Sequence, residues 1–145
     1  MIKKKIKSSL ILIFLFSFVQ NAYSLEPNIF VQSTVNRASQ VLSDDVSKKQ
    51  KIEKLKIIAK DTVDIAGVGF YSLGKYRKGL NDSQKKKYSD LFEKYFLKSF
   101  SSRLAEYTNT EIEVQNQKEL NKNYTIVNSI LVGTSERPEV KIDWR

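Results

Sequence analysis

The spacing of apolar residues changes near Asn109, and this change constrains the fold more than any other feature of the sequence. Before it, apolar residues recur every three or four positions, which is the period of amphipathic helices. After it, polar and apolar residues alternate in residues 111–115 and 140–145, which is the period of strands. Helices followed by consecutive strands predict an α+β fold, with N-terminal amphipathic helices packed on one face of an antiparallel sheet.

The helical part divides into four segments. Pro27 suits a first helical turn, and the apolar spacing predicts one helix from there to residues 43–45 and a second that begins near Ser47. Residues 65–80 hold four of the five glycines and predict a short, closely packed helix with a turn, or alternatively a flexible apolar lip beside a cavity. The lysines of the second helix are interpreted as a solvated face: Lys48, Lys49, Lys51, Lys54, Lys56 and Lys60.

The fourth segment has the clearest helix signals, because Asn81 and Gln84 form a capping-box pattern at its start. Its apolar stripe predicts either ordinary core or the wall of a ligand cavity. Lys85, Lys86 and Lys87 oppose the helix dipole, so they are interpreted as a solvated face or as contacts to an anionic headgroup or an acidic partner. The stripe comprises Tyr88, Leu91, Phe92, Tyr95, Phe96, Phe100, Leu104 and Tyr107.

The strand part predicts three strands joined by short connections. Residues 124–132 are apolar on both faces, which favours a central strand. Residues 121–123 predict the turn before it, and residues 133–138 predict a loop after it. The sequence stops inside the third strand, just after Trp144, and an apolar strand there would leave an unprotected sheet edge. We therefore expect the sheet to be incomplete and the C-terminal part of the domain to be absent.

Residues 1–24 predict a cleaved secretory signal peptide. A cationic start precedes an apolar run at residues 10–19, and the small residues Ala22 and Ser24 mark the cleavage site. The run is shorter than the roughly 20 apolar residues that span a membrane. We therefore expect export, with a bacterial periplasm as the destination, and a single domain at residues 25–145. Loss of the four signal lysines, with no acid, lowers the formal net charge from +9 to +5.

The composition restricts the chemistry of the exported part. The chain contains no histidine and no cysteine, which excludes disulfides and a Ser-His-Asp triad and disfavours a zinc site. The remaining positive charge favours anionic membranes or acidic partners, and export argues against nucleic acid. We expect a binding protein rather than an enzyme, without a metal or cofactor.

An ordered set of residues carries a resemblance to a known family. The set is Pro27, Val63-Asp64, Leu73-Gly74, Tyr76-Arg77, Gln84, Phe92, Phe96, Leu104, Tyr107, Ile112 and Val114, followed by the strands at 124–132 and 140–145. In this order and spacing the chain resembles the MlaC family of periplasmic phospholipid-binding proteins, also called toluene-tolerance auxiliary proteins. The family commonly has Trp-Arg after its Leu-Gly pair, whereas this chain has Lys75-Tyr76-Arg77. The family also continues past the third strand, with segments that complete the lipid cavity.

The resemblance implies an α+β fold related to NTF2-like domains and a soluble carrier that holds phospholipid acyl chains in an apolar cavity. It implies transfer between an outer-membrane lipoprotein complex and an inner-membrane ABC transporter with an MCE-domain subunit. The predicted lipid contacts are Val68, Phe70, Tyr71, Leu73, Phe92, Phe96, Phe100, Leu104, Ile126, Ile130, Ile142 and Trp144.

Two alternatives to the lipid carrier remain open. The first is a protein-binding adapter without a ligand. The second is an NTF2-like enzyme that uses Asp64, between Val63 and Ile65, as a base whose pKa an apolar site would raise. The plainer interpretation of Asp64 is a hydrogen-bond partner for the adjacent turn.

Overall fold

The structure is a computed structural model that describes residues 25–107 and 111–145. The predicted signal peptide, residues 1–24, lies outside the described residues. The helices are α1 (Pro27–Ser43), α2 (Lys48–Thr62), α3 (Ile65–Ser72), a 3-10 helix (Gly74–Gly79) and α4 (Asp82–Leu104), and the strands are β1 (Ile112–Asn121), β2 (Tyr124–Leu131) and β3 (Val140–Trp144). The predicted α+β class is confirmed. None of the described helices is long and apolar enough to cross a membrane.

Local side-chain signals set the starts of α2 and α4. The Ser47 hydroxyl accepts from the Gln50 N–H at 3.3 Å, and the Gln50 side chain accepts from the Ser47 N–H at 3.1 Å. The predicted capping box of α4 is confirmed, because Asn81 and Gln84 exchange the same two bonds at 2.9 and 3.0 Å. Each box satisfies backbone N–H groups that the first helical turn leaves without a partner.

The three strands form an antiparallel meander in the order β1-β2-β3, so β2 is the central strand as predicted. The pairs Val127–Trp144 and Ser129–Ile142 place these four residues on one face of the sheet. Helix α1 packs on that face, and the sheet is therefore covered by helix on one side. The pairing of β1 shifts register after Val114, and the rest of that strand is exposed.

Buried side chains form two clusters. The main core joins α1, α2 and the end of α4 to the sheet, and consists of Val31, Val35, Ala38, Val41, Leu42, Leu55, Ile58, Leu104, Ala105, Tyr107, Ile112, Val127 and Leu131. The outer cluster joins α2, α3 and α4 through buried Ala59, Ile65 and Leu97, with half-buried Val63, Phe92 and Phe96 packed around them. Phe100 contacts both clusters and connects them.

The interpretation of the α2 lysines as one solvated face is wrong for Lys51. Its side chain is buried, and its ammonium donates to the Leu42 carbonyl at 2.6 Å. That carbonyl belongs to the last turn of α1, where carbonyls have no partner within the helix. Lys51 thus closes the end of the preceding helix, a role that depends on how α1 and α2 pack.

The predicted apolar stripe of α4 is only partly buried. Leu91 is 56% exposed and Tyr95 is 68% exposed, whereas Leu104 and Tyr107 are buried. Residues four apart advance by slightly more than one helical turn, about 40° per step, so a long row of such residues winds out of the buried face. The helix also ends at Leu104, before the last predicted stripe residue.

Candidate functional site

A row of four aromatic rings runs along α4. Tyr88 and Phe92 have ring centroids 5.8 Å apart, Phe92 and Phe96 6.2 Å, and Phe96 and Phe100 5.5 Å, and each pair is stacked. These distances match the roughly 6 Å rise of four helical residues. The row begins near the start of α4, where Tyr88 is half-buried, and reaches the main core at Phe100. It therefore forms a continuous apolar strip from the surface to the interior.

Helix α3 packs against the start of this row. A Cβ atom at Gly69 would lie 2.9 Å from Cδ1 of Phe92, so glycine lets the helix and the ring approach this closely without a shift of the ring. Ser72 donates to the Gly69 carbonyl at 2.7 Å, and the Ser72 and Tyr88 hydroxyls are hydrogen-bonded at 2.9 Å. The predicted close packing of the glycine-rich segment is found here, and it positions α3 beside the aromatic row.

The predicted lipid contacts fall into three groups. Val68, Phe70, Tyr71 and Leu73 lie on or just after α3, and all of them are partly or largely exposed, up to 75% at Tyr71. Phe92 and Phe96 lie in the outer cluster on α4, against which α3 packs. Phe100, Leu104, Ile142 and Trp144 lie in or against the main core. The second and third groups are connected through Phe100, and the first group lies on or just after α3, which packs against the start of the aromatic row.

Ile126 and Ile130 lie apart from these three groups. They alternate along β2 with the buried Val127, Ser129 and Leu131 and so point to the other face of the sheet. Both are half-buried. The inner face instead carries Trp144, whose indole N–H donates to the Ser129 hydroxyl at 2.9 Å. The sheet therefore separates these two isoleucines from the other ten predicted contacts.

Asp64 has a local structural role. It is exposed, and its carboxylate accepts from the Gly67 N–H at 2.9 Å as the N-cap of α3. The enzyme alternative requires a carboxylate buried in an apolar site, and Asp64 is not in such a site. Within residues 25–107 and 111–145, no group of three or more acidic side chains could hold a metal ion.

The three lysines at the start of α4 differ in their acidic neighbours. Lys85 lies 3.4 Å from Asp82, and Lys86 lies 2.8 Å from Asp90. The hydrogen bond and the charge of Asp90 raise the pKa of the Lys86 ammonium above its usual value. Lys87 is exposed. All three ammonium groups are thus accessible to an anion.

A second feature of the surface was not predicted from the sequence. Between α2 and α4 lies an open groove of ≈ 430 Å³, and none of its lining residues is a predicted lipid contact. Its lining consists of Glu53, Lys56, Ile57, Lys60, Lys94, Leu97 and Lys98. The sequence signal was the pair of lysines four residues apart on each helix, but only the packing of the helices brings the two pairs together.

Comparison with known proteins identifies the family. The family profile described as MlaC protein matches residues 32–145, and the chain therefore belongs to the MlaC family. Among solved structures, the fold is similar to a phospholipid-binding protein from Ralstonia solanacearum in complex with a phospholipid, with a TM-score of 0.65 and 13% sequence identity. The similarity covers 83% of this chain and 70% of that chain. No curated protein matches this chain.

Proposed function

We propose that this protein binds a phospholipid and carries it across the periplasm. The observation that carries the proposal is the row of stacked aromatic rings, left half-buried beside α3 in a chain of the MlaC family. The fold it shares with a protein solved in complex with a phospholipid supports the same function. No catalytic group or cofactor is required for carriage.

The physical need for such a carrier is large. Each methylene of an acyl chain that leaves an apolar environment for water costs about 0.8 kcal/mol. A strip of aromatic and aliphatic side chains that leads from the surface into the core offers that chain an alternative to water. We propose Val68, Tyr71, Phe92 and Phe96 as the first contacts at the exposed end.

Deeper contacts are proposed where the strip meets the main core. Phe100 connects the two clusters, and Leu104, Ile142 and Trp144 lie beyond it. Phe70 and Leu73 complete the set on the α3 side. Because these side chains recognise acyl chains by their apolar surface, we expect broad tolerance of the lipid headgroup.

We propose that lipid passes between an outer-membrane lipoprotein complex and an inner-membrane ABC transporter with an MCE-domain subunit, as the resemblance to the family implies. Lys85, Lys86 and Lys87 are proposed contacts to an anionic membrane surface during this transfer. Their joint replacement by glutamate should slow transfer from vesicles that contain phosphatidylglycerol at low salt, and added salt should reduce the difference. Equal transfer rates at low salt would remove these lysines from the proposal.

The direct test is lipid analysis of the protein purified from periplasm. Organic extraction followed by mass spectrometry should yield phospholipid, and delipidated protein should take up phospholipid from vesicles of phosphatidylethanolamine and phosphatidylglycerol. A protein that yields no phospholipid and accepts none from vesicles would instead be an adapter without a ligand.

Two exposed tyrosines offer a matched pair of variants. Tyr71 is 75% exposed among the proposed contacts, and Tyr124 is 54% exposed on β2, outside them. Both changes to serine remove one exposed ring and should have little effect on stability. We expect Tyr71→Ser to reduce phospholipid uptake, because Tyr71 is a proposed lipid contact, and Tyr124→Ser to leave uptake unchanged. Equal uptake by both variants would place the lipid elsewhere.

A further inference from the structure

Two packed helices bring four lysines together around the open groove between α2 and α4. Lys56 and Lys60 are one turn apart on α2, and Lys94 and Lys98 are one turn apart on α4. The apolar part of the lining is Ile57, which is 60% exposed, together with Leu97. The groove therefore combines two pairs of ammonium groups with an accessible apolar surface.

The charge of this groove is only partly neutralised. Lys56 pairs with Glu53 at 2.9 Å, and Lys60 pairs with Glu93 at 2.8 Å. Within the part of the chain that the structure describes, neither Lys94 nor Lys98 forms an ion pair. Like charges four residues apart destabilise a helix, so folding alone does not account for two such pairs side by side.

We propose that this groove binds an acidic segment of a partner protein and that an apolar side chain of that segment packs on Ile57 and Leu97. Charge complementarity selects an anionic occupant, and the shape of the groove selects among anionic occupants. A peptide segment can place acidic and apolar side chains along a concave groove together, whereas a flat bilayer surface is not shaped to fill it. A small anion is held by buried, converging donors, whereas the Lys60 side chain is 56% exposed.

The lysines of the groove and the aromatic row lie on different sides of α4, and Leu97, which lines the groove, also packs in the outer cluster. Lys98 follows Phe96 by two residues, which is about 200° around the helix. A partner segment that contacts these lysines would therefore not cover the aromatic rings. The inference rests on the lysines and the groove, and it stands or falls independently of lipid binding.

The test measures binding of a defined acidic probe to the purified protein. The probe is a short dye-labelled peptide with a central leucine flanked by glutamates, followed by fluorescence anisotropy. We expect K94E/K98E to weaken binding by about tenfold or more, because two attractions become repulsions. The matched control, K118E/K122E, makes the same charge change on β1 and the following turn and should weaken binding by a smaller factor that added salt removes.

The apolar contact has its own control. Ile57→Ser should weaken binding of the leucine peptide but not of the same peptide with glycine in place of leucine.

The charge contribution has a milder variant. K94Q/K98Q removes the two charges without reversing them and should weaken peptide binding less than K94E/K98E does. Circular dichroism would establish that each variant is folded.

Three results would overturn the proposal. The first is an equal loss in K94E/K98E and K118E/K122E, which would mean general charge attraction. The second is equal binding of the leucine and glycine peptides to the unaltered protein. The third is a protein that does not bind the peptide but binds phosphatidylglycerol vesicles or inorganic phosphate and loses that binding in K94E/K98E, which would make the groove a membrane or anion site.

Discussion

The main core and the outer cluster are packed to different degrees, although α2 and α4 contribute to both. In the main core, Val35, Leu42, Leu55 and Val127 are at most 1% exposed. In the outer cluster, the buried residues are few, and aromatic side chains around them remain half-buried. Helix α1 and the sheet both contribute buried residues to the main core, whereas the buried residues of the outer cluster come from α2, α3 and α4. We therefore expect stability to be concentrated in the main core, while the outer cluster keeps partly exposed apolar side chains, among which lipid contacts are proposed.

The largest effect is expected from a cavity in the main core. Leu42 is fully buried at the end of α1, and Leu42→Ala should lower the free energy of unfolding by about 2–5 kcal/mol, because it removes apolar contacts and leaves a cavity. Urea denaturation would measure this. A loss below that of the outer-cluster variant described next would contradict the division between the two regions.

A smaller loss is expected in the outer cluster. Phe96 stacks on two neighbouring rings but is only half-buried. Phe96→Ala should therefore cost about half of the ~3–5 kcal/mol that truncation of a fully buried phenylalanine costs. The same variant should lose most of its phospholipid uptake, measured from vesicles. Full uptake with reduced stability would make the row ordinary core rather than a lipid contact.

Two glycines test how easily each region accommodates an added side chain. A side chain at Gly133 would meet the Glu139 backbone nitrogen at 2.8 Å, whereas one at Gly69 would meet the Phe92 ring at 2.9 Å. The Phe92 ring can rotate to make room for a methyl group, whereas the backbone at Glu139 cannot move without a shift of the loop that precedes β3. Gly133→Ala should cost about 1–3 kcal/mol, and Gly69→Ala should cost less while changing the near-ultraviolet circular dichroism of the aromatic row. The reverse order of stabilities would mean that the outer cluster is the more rigid region.

The smallest effect is expected at the exposed start of α4. The Asp90 carboxylate raises the pKa of Lys86, so this pair contributes stability below the ordinary lysine pKa of 10.5 and loses it as the pH rises through the higher folded value. Asp90→Asn should lower the Lys86 pKa toward 10.5 in an NMR titration and should leave phospholipid uptake unchanged. An unchanged Lys86 pKa would mean that the pair is not formed in solution.

The elements of this fold could be predicted from the sequence because their signals are local. The period change near Asn109 separates helices from strands, and the capping residues Ser47 and Asn81 act within one turn of their own helices. The aromatic row follows in the same way from the four-residue spacing along α4. The same reasoning predicted the central strand, because its residues are apolar at both odd and even positions.

Placement of side chains between elements was decided only by the tertiary structure. Lys51 was interpreted as solvated with its neighbours, but the packing of α1 on α2 buries it against the Leu42 carbonyl. Ile126 and Ile130 were grouped with Ile142, but strand register puts them on the other face of the sheet.

What the sequence by itself determined about this protein is the order, type and ends of its helices and strands, since 3.6- and two-residue periods and caps depend on neighbours along the chain. Only the tertiary structure decided which faces meet. Lys56 and Lys94 are distant in sequence and line one groove because α2 and α4 pack together through Ala59 and Leu97. Such a contact depends on the relative position of two helices, which no spacing within either helix specifies.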